Sequence, residues 1–209
     1  MSRRGRLIAL EGLDGSGKTT QARLLAEALG ALSTAEPGAT PFGERVRDLL
    51  LDPTSPPLSI RAEALLVAAD RAQHVTEVLT PALATGRWVV TDRFSGSTLA
   101  YQGYGRGLDL EELRRLVDWA TGGVEPDLTV LVDVPVHVTR RRRDGDSPDR
   151  LERLGDEFKE RVRSGYQELA ESNPANWVIV DGEGDVFEVA GRILEVVTAR
   201  LAPLPAPAR

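Results

Sequence analysis

Apolar positions along this chain follow two alternating patterns. Short unbroken runs, Leu7-Ile8-Ala9-Leu10, Trp88-Val89-Val90-Thr91, Leu128-Thr129-Val130-Leu131-Val132 and Trp177-Val178-Ile179-Val180, read as strands buried on both faces. Each stops at an acidic residue: Glu11, Asp92, Asp133 or Asp181. A fifth strand is expected before Glu36, although Ala31-Leu32-Ser33-Thr34 is a thin candidate. Between the runs, apolar residues recur at helical spacing. Ala22, Leu25, Ala26 and Leu29 put one amphipathic helix over Lys18 to Leu29. Ala62, Leu65, Leu66, Ala69 and Ala72 predict another that continues to about Leu83. Asp109 with Glu112, and Asp185 with Glu188, have the spacing of capping boxes, and Gly122-Gly123 is a stop signal. Strand and helix alternate throughout, which predicts an α/β fold: a doubly wound, five-stranded parallel sheet flanked by helices. In such sheets ligands bind at the carboxyl ends of the strands.

Composition narrows the partners. At 209 residues and 41% hydrophobic, the chain suits one domain spanning 1–209, with a frayed Pro-rich tail over 202–209. A net charge of −6 argues against nucleic-acid binding. No apolar run approaches the roughly 20 residues of a membrane span, and no signal peptide is evident after the basic start, so a cytoplasmic protein is expected. The absence of cysteine rules out disulfides, thiolate metal sites and Cys nucleophiles.

Gly12-Leu13-Asp14-Gly15-Ser16-Gly17-Lys18-Thr19 matches the pattern G-x-x-x-x-G-K-S/T between a predicted strand and a predicted helix. Glycines at 12, 15 and 17 let successive N–H groups point at one anion, and the helix start adds its positive dipole end. Lys18 supplies a point charge, the Thr19 hydroxyl a ligand for Mg²⁺, and Ser16 and Thr20 flank the phosphates of ATP. No N-K-x-D motif marks a GTPase switch, since the only asparagines are Asn173 and Asn176. A kinase is left, and it needs an acceptor site.

Five motifs follow in order: Glu11 to Thr19, Glu36-Pro37-Gly38, Asp92-Arg93-Phe94, Ser97-Thr98-Leu99-Ala100-Tyr101-Gln102-Gly103 and Pro126-Asp127-Leu128-Thr129. Together, from about Leu7 to about Asn176, they resemble thymidylate kinase. The resemblance implies a homodimer that transfers the γ-phosphoryl of ATP to dTMP, giving dTDP. It implies that Asp14 acts near the acceptor and metal, and that Glu36, Pro37, Arg47, Arg71, Arg93, Thr98, Tyr101 and Gln102 form the acceptor site. An Arg such as Arg93 suits the bridge between two phosphates, because its fork makes several bonds and never loses its charge. Asp92 is expected to orient Arg93 or to hold Mg²⁺.

The chain departs from the family at two points. Val67 stands where the family has an aromatic that stacks on thymine, and Ala35 where it commonly has Arg. Two other readings follow: a kinase for another pyrimidine or modified monophosphate, and a nucleotide-binding regulatory protein with little turnover. Arg140 to Arg143, followed by the turn formers Asp144 to Pro148, predict an arginine-rich lid over about 140–152. Arg143 and Arg150, then Arg140, are expected to reach the transferred phosphoryl, because the loop after Gly12 contains no Arg. His74 and His137 are expected far from these motifs.

Overall fold

A computed structural model describes residues 4–143 and 150–203. Five parallel strands, β1 (Leu7–Glu11), β2 (Leu32–Ala35), β3 (Val89–Asp92), β4 (Leu128–Asp133) and β5 (Trp177–Asp181), lie in the order β2-β3-β1-β4-β5. The expected doubly wound sheet is therefore present. Alternate residues of β1 serve opposite cores. Ile8 and Leu10 pack with α1 (Lys18–Leu29) and α9 (Val186–Leu201), whereas Leu7 and Ala9 face Leu79, Leu83 and Phe94. Burial on both faces explains the unbroken apolar runs. β2 is the thin strand because it lies at the sheet edge, with only one residue of its four fully exposed and none fully buried.

Helices cover both faces: α2 (Pro41–Leu51), α3 (Ile60–His74), α4 (Thr80–Ala84), α5 (Ser95–Thr98), α6 (Leu110–Thr121), α7 (Val136–Arg142) and α8 (Asp156–Ser172) complete the layers. The helix expected to run to about Leu83 does so through a π-helical turn over Val75–Leu79. Asp185 caps α9 with the full reciprocal box, whereas Asp109 accepts from Glu112 N at 2.8 Å without the return bond being recorded. Of the expected lid, residues 144–149 lie outside the described residues, as do 204–209 of the tail.

β1 is central, and the chain goes to opposite sides of it for β3 and β4. That reversal opens a crevice at the carboxyl end of β1, where the Gly12–Lys18 turn sits. A second π-helical segment, Leu99–Gly105, carries Tyr101 and Gln102 beside it. This segment approaches α8 closely: a Cβ on Gly165 would stand 2.4 Å from Tyr104 Cγ. Gly165→Ala is expected to cost about 1–3 kcal/mol through overpacking and to lower the melting temperature by several degrees, as read by calorimetry.

Candidate active site

The turn after β1 can form because Gly15 and Gly17 hold φ of 84° and 94°, values that L side chains rarely adopt. A Cβ on Gly15 would lie 2.7 Å from Thr139 O and 3.1 Å from Arg143 Cγ, so the stem of Arg143 passes over the loop. Lys18 is buried at the first position of α1, and its Nζ donates to Leu13 O and Asp14 Oδ1, both at 3.2 Å. Burial and the Arg93 charge lower its pKa, while Asp14 and Asp92 oppose them. Ser16 Oγ is buried without a hydrogen-bond partner among the described residues, and Ser16 does not line the cavity described below.

Arg93 follows β3 at φ 72°, the one non-glycine residue with positive φ among those described. Such a conformation persists only where the surroundings over-determine it. Here Nη1 donates to Gly12 O (3.1 Å), Ser97 Oγ (2.9 Å) and Tyr166 OH (3.0 Å). Nη2 donates to Asp14 Oδ1 (2.7 Å) and Tyr101 OH (3.1 Å), and the guanidinium stands 4.9 Å from the centre of the Tyr101 ring. Burial alone would lower the pKa of Arg93, but Asp14 above all raises it well beyond its ordinary value. Burial likewise pushes Asp14 up, yet Arg93 and then Lys18 hold it far below the usual carboxylate range. Asp14 favours the charged form of both cations, and each of them favours the charged form of Asp14.

Glu11 and Tyr166 were not read as site residues in the sequence. Glu11 is enclosed at the end of β1, where Oε1 accepts from Phe94 N and Ser97 N at 3.0 Å. Oε2 accepts from Ser97 Oγ (2.6 Å) and Tyr166 OH (3.0 Å). Burial raises its pKa against those bonds and the Arg93 charge. Only the acidic strand end hinted at Glu11; Tyr166 lies 155 residues away with no local signal.

A cavity of about 460 Å³ opens beside the loop. It is lined by Asp14, Gly15, Gly17, Lys18, Thr19 and Thr20, and by Glu36, Pro37, Arg47, Val67, Arg71, Arg93, Tyr101, Gln102 and Arg143. Every expected acceptor residue but one is therefore present. Thr98 is fully buried behind the wall, and its Oγ1 accepts from Arg71 Nη1 at 2.7 Å. Arg71 also donates through Nε to Glu36 Oε2 (2.8 Å) and through Nη2 to Phe94 O (2.9 Å). Arg47 Nη1 donates to Pro37 O at 2.9 Å. Tyr101 is the one aromatic in the lining among the described residues, and Arg93 covers its ring. No second aromatic replaces the stacking surface missing at Val67.

The expectation that His74 lies far from the motifs is overturned, because it sits directly against Glu36. It is enclosed, with Nδ1 2.8 Å from Glu36 Oε1 and Nε2 2.8 Å from Thr34 Oγ1. Residues 71 and 74 are three apart on α3, so both fall on the helix face above Glu36. That spacing was a legible signal. Among the lid residues, Arg143 reaches the cavity, whereas Arg150 and Arg140 do not line it. Arg150 Nη1 donates to Pro56 O at 3.2 Å and Arg140 Nη1 to exposed Asp156 Oδ2 at 3.3 Å. Arg142 instead ties the phosphate loop to the end of β5, donating to Ser16 O (3.0 Å) and Gly182 O (2.9 Å).

Thr19 Oγ1 donates to Asp92 Oδ2 at 2.5 Å, and Asp92 Oδ1 is buried without a hydrogen-bond partner among the described residues. A hydroxyl and a carboxylate with a vacant oxygen fit a hard divalent cation that keeps most of its waters and phosphate ligands. Behind the Glu36 loop, Asp70 Oδ1 accepts from Gly38 N at 3.0 Å, while Oδ2 has no hydrogen-bond partner among the described residues. Burial, and then the Glu36 charge, push Asp70 from 3.8 up to about 6. A carboxyl that binds its proton more tightly when folded makes stability fall as pH rises between those values. Asp70→Asn should remove this decline between pH 3.8 and about 6. Denaturant midpoints across that window check it, and parallel wild-type and variant profiles would refute it.

A thymidylate kinase family model matches residues 10–193. The thymidylate kinase of Desulforudis audaxviator (strain MP104C) is 49% identical over 207 residues, covering 96% of this chain and 94% of that protein. That of Synechococcus sp. (strain JA-3-3Ab) is 51% identical over 207 residues, covering 96% and 99%. The crystal structure of thymidylate kinase from Ehrlichia chaffeensis superposes with a TM-score of 0.78 at 32% identity, covering 93% of this chain and 99% of that one. With a family model over most of its length, relatives near half identity and the same fold, the chain belongs to the thymidylate kinase family.

Proposed function

We propose that the protein phosphorylates dTMP with ATP by in-line transfer, and that the cluster of Asp14, Lys18 and Arg93 is where donor and acceptor phosphates meet. One observation carries the reading. Two desolvated cations from different elements converge on Asp14 at the boundary between the phosphate loop and the acceptor cavity. An acceptor phosphate oxygen is already ionised at neutral pH, so positioning and charge neutralisation suffice and no general base is needed.

Gly12, Gly15, Ser16, Gly17, Lys18, Thr19 and Thr20 hold the ATP phosphates. Arg93, fixed by Glu11, Ser97 and Tyr166, receives the acceptor phosphate, and Arg47 assists from the Pro37 side. Arg143 approaches the transferred phosphoryl from the lid, with Arg150 assigned to lid closure. Arg71, Gln102, Glu36 and Val67 surround the base, with Thr98 acting through Arg71. Tyr101 holds Asp14 and Arg93 and borders the sugar. Thr19 and Asp92 would hold Mg²⁺, which when bound neutralises charge on the phosphates.

We take residues 1–209 as one kinase domain. No helix among the described residues is long and apolar enough to cross a membrane. We propose a cytoplasmic location on the separate ground that its nucleotide substrates are found there. Exposed Leu49, Leu65 and Trp119 on α2, α3 and α6 support a homodimer through that flank.

ADP formation with ATP and Mg²⁺ is to be measured against dTMP, dUMP, dCMP, dGMP and dAMP. Turnover of order 1–100 s⁻¹ is expected with dTMP, far above the others. ATP binding without turnover on any acceptor would sink the reading. Arg93→Lys keeps the charge but loses the fork, and should lower kcat about 100-fold with little change in the KM for ATP. Val67→Phe restores a stacking face worth about 1–3 kcal/mol, so the KM for dTMP should fall at least several-fold; a KM that stays the same or rises would show that the base does not pack there.

A further inference from the structure

Glu63 is a carboxylate that phosphoryl transfer does not itself require. It sits in the first turn of α3, is 2% exposed, and lines the same cavity as Arg71, Val67 and Gln102. An anion buried there is costly unless paired. Arg106 pairs it, with Nη2 donating to Oε2 at 2.6 Å and Nε to Oε1 at 3.2 Å. Oε1 also accepts from Nε2 of Gln102 at 3.0 Å.

This contact fixes the direction of an amide. A carboxylate clamped by a guanidinium has acceptor oxygens only, so the end of Gln102 that faces it must be the NH₂. The carbonyl Oε1 is left for the cavity. It has no protein donor among the described residues, and Gln102 lines the cavity. On the same wall, Arg71 spends one N–H each on Glu36, Thr98 and Phe94, which leaves two of its five. The wall therefore presents guanidinium donors and an amide acceptor. A 4-keto pyrimidine shows the complement, an oxygen at C4 beside an N3–H. A 4-amino pyrimidine shows the reverse, a donor at C4 and a bare N3.

We propose that Glu63, neutralised by Arg106, is a positioning residue for acceptor selectivity: it holds the Gln102 carbonyl toward the base, so the site accepts 4-keto and refuses 4-amino pyrimidines. The proposal rests on the cavity being the dTMP site. A site built to bond one edge leaves its own polar groups unpaired against the other edge, and such sites discriminate strongly. Glu63→Gln supplies an amide that donates as well as accepts, so Gln102 is free to turn over.

The test is kcat/KM for dTMP and for 5-methyl-dCMP, which differ only at that edge, in wild type and in Glu63→Gln. The dTMP preference should fall at least about tenfold, with the KM for ATP nearly unchanged. A merely structural Glu63 would lower both acceptors together, and an unchanged ratio in the folded variant overturns the proposal. Should that variant not fold, Glu63→Asp keeps the charge beside Arg106 but withdraws it from Gln102. Its ratio should fall at least about threefold, and an unchanged ratio there overturns the proposal equally. A wild type with no preference for dTMP over 5-methyl-dCMP would instead overturn the acceptor reading beneath it.

Discussion

The site depends on keeping buried like charges together before any substrate arrives. Lys18 and Arg93 are both desolvated, and the Arg93 charge lowers the affinity of Lys18 for its proton. Asp14 resolves the conflict by accepting from both, at 3.2 Å and 2.7 Å. An acid inside a phosphate-binding loop looks out of place in a sequence, yet here it compensates two buried cations. It also positions the acceptor side of the site relative to the donor side. Glu11 performs the same service one layer deeper, joining the end of β1 to the turn that forces Arg93 into positive φ.

A second buried network lines the cavity and meets the first at Phe94, whose N–H goes to Glu11 and whose carbonyl accepts from Arg71. Glu36 takes Arg71 and His74; Glu63 takes Arg106 and Gln102. In each case a carboxylate immobilises a group on the cavity wall. Arg71 is spread over three partners, which fixes its plane and leaves two N–H groups for a ligand. Such networks are rigid only when fully satisfied. The apolar part of the wall is plainer, with Val67 giving contact but no π face.

Helix and sheet order was legible because burial on both faces writes uninterrupted apolar runs, and amphipathic helices write their own period. The phosphate loop was legible because glycine, lysine and threonine must stand at fixed offsets within one turn. Thr98 was expected in the acceptor site, but it lies behind Arg71. Residues 98 and 101 are one helical turn apart, and the π-helical winding from Leu99 decides which of their neighbours faces the cavity. Arg150 and Arg140 could not be told from Arg143 by spacing alone, because their directions depend on Pro56 and Asp156 in other segments.

Local chemistry in the chain therefore settled the fold class and marked out the loop and the cations proposed to serve phosphate. Side-chain period and turn geometry act over a few residues and are written in order. Tertiary structure alone decided which carboxylates guard those cations and which way each amide and guanidinium points. Glu11 meets Tyr166, Glu36 meets His74 and Glu63 meets Gln102 across gaps of 155, 38 and 39 residues. Such partners are chosen by the crossing of strands and helices, and no short-range pattern in the sequence encodes that crossing.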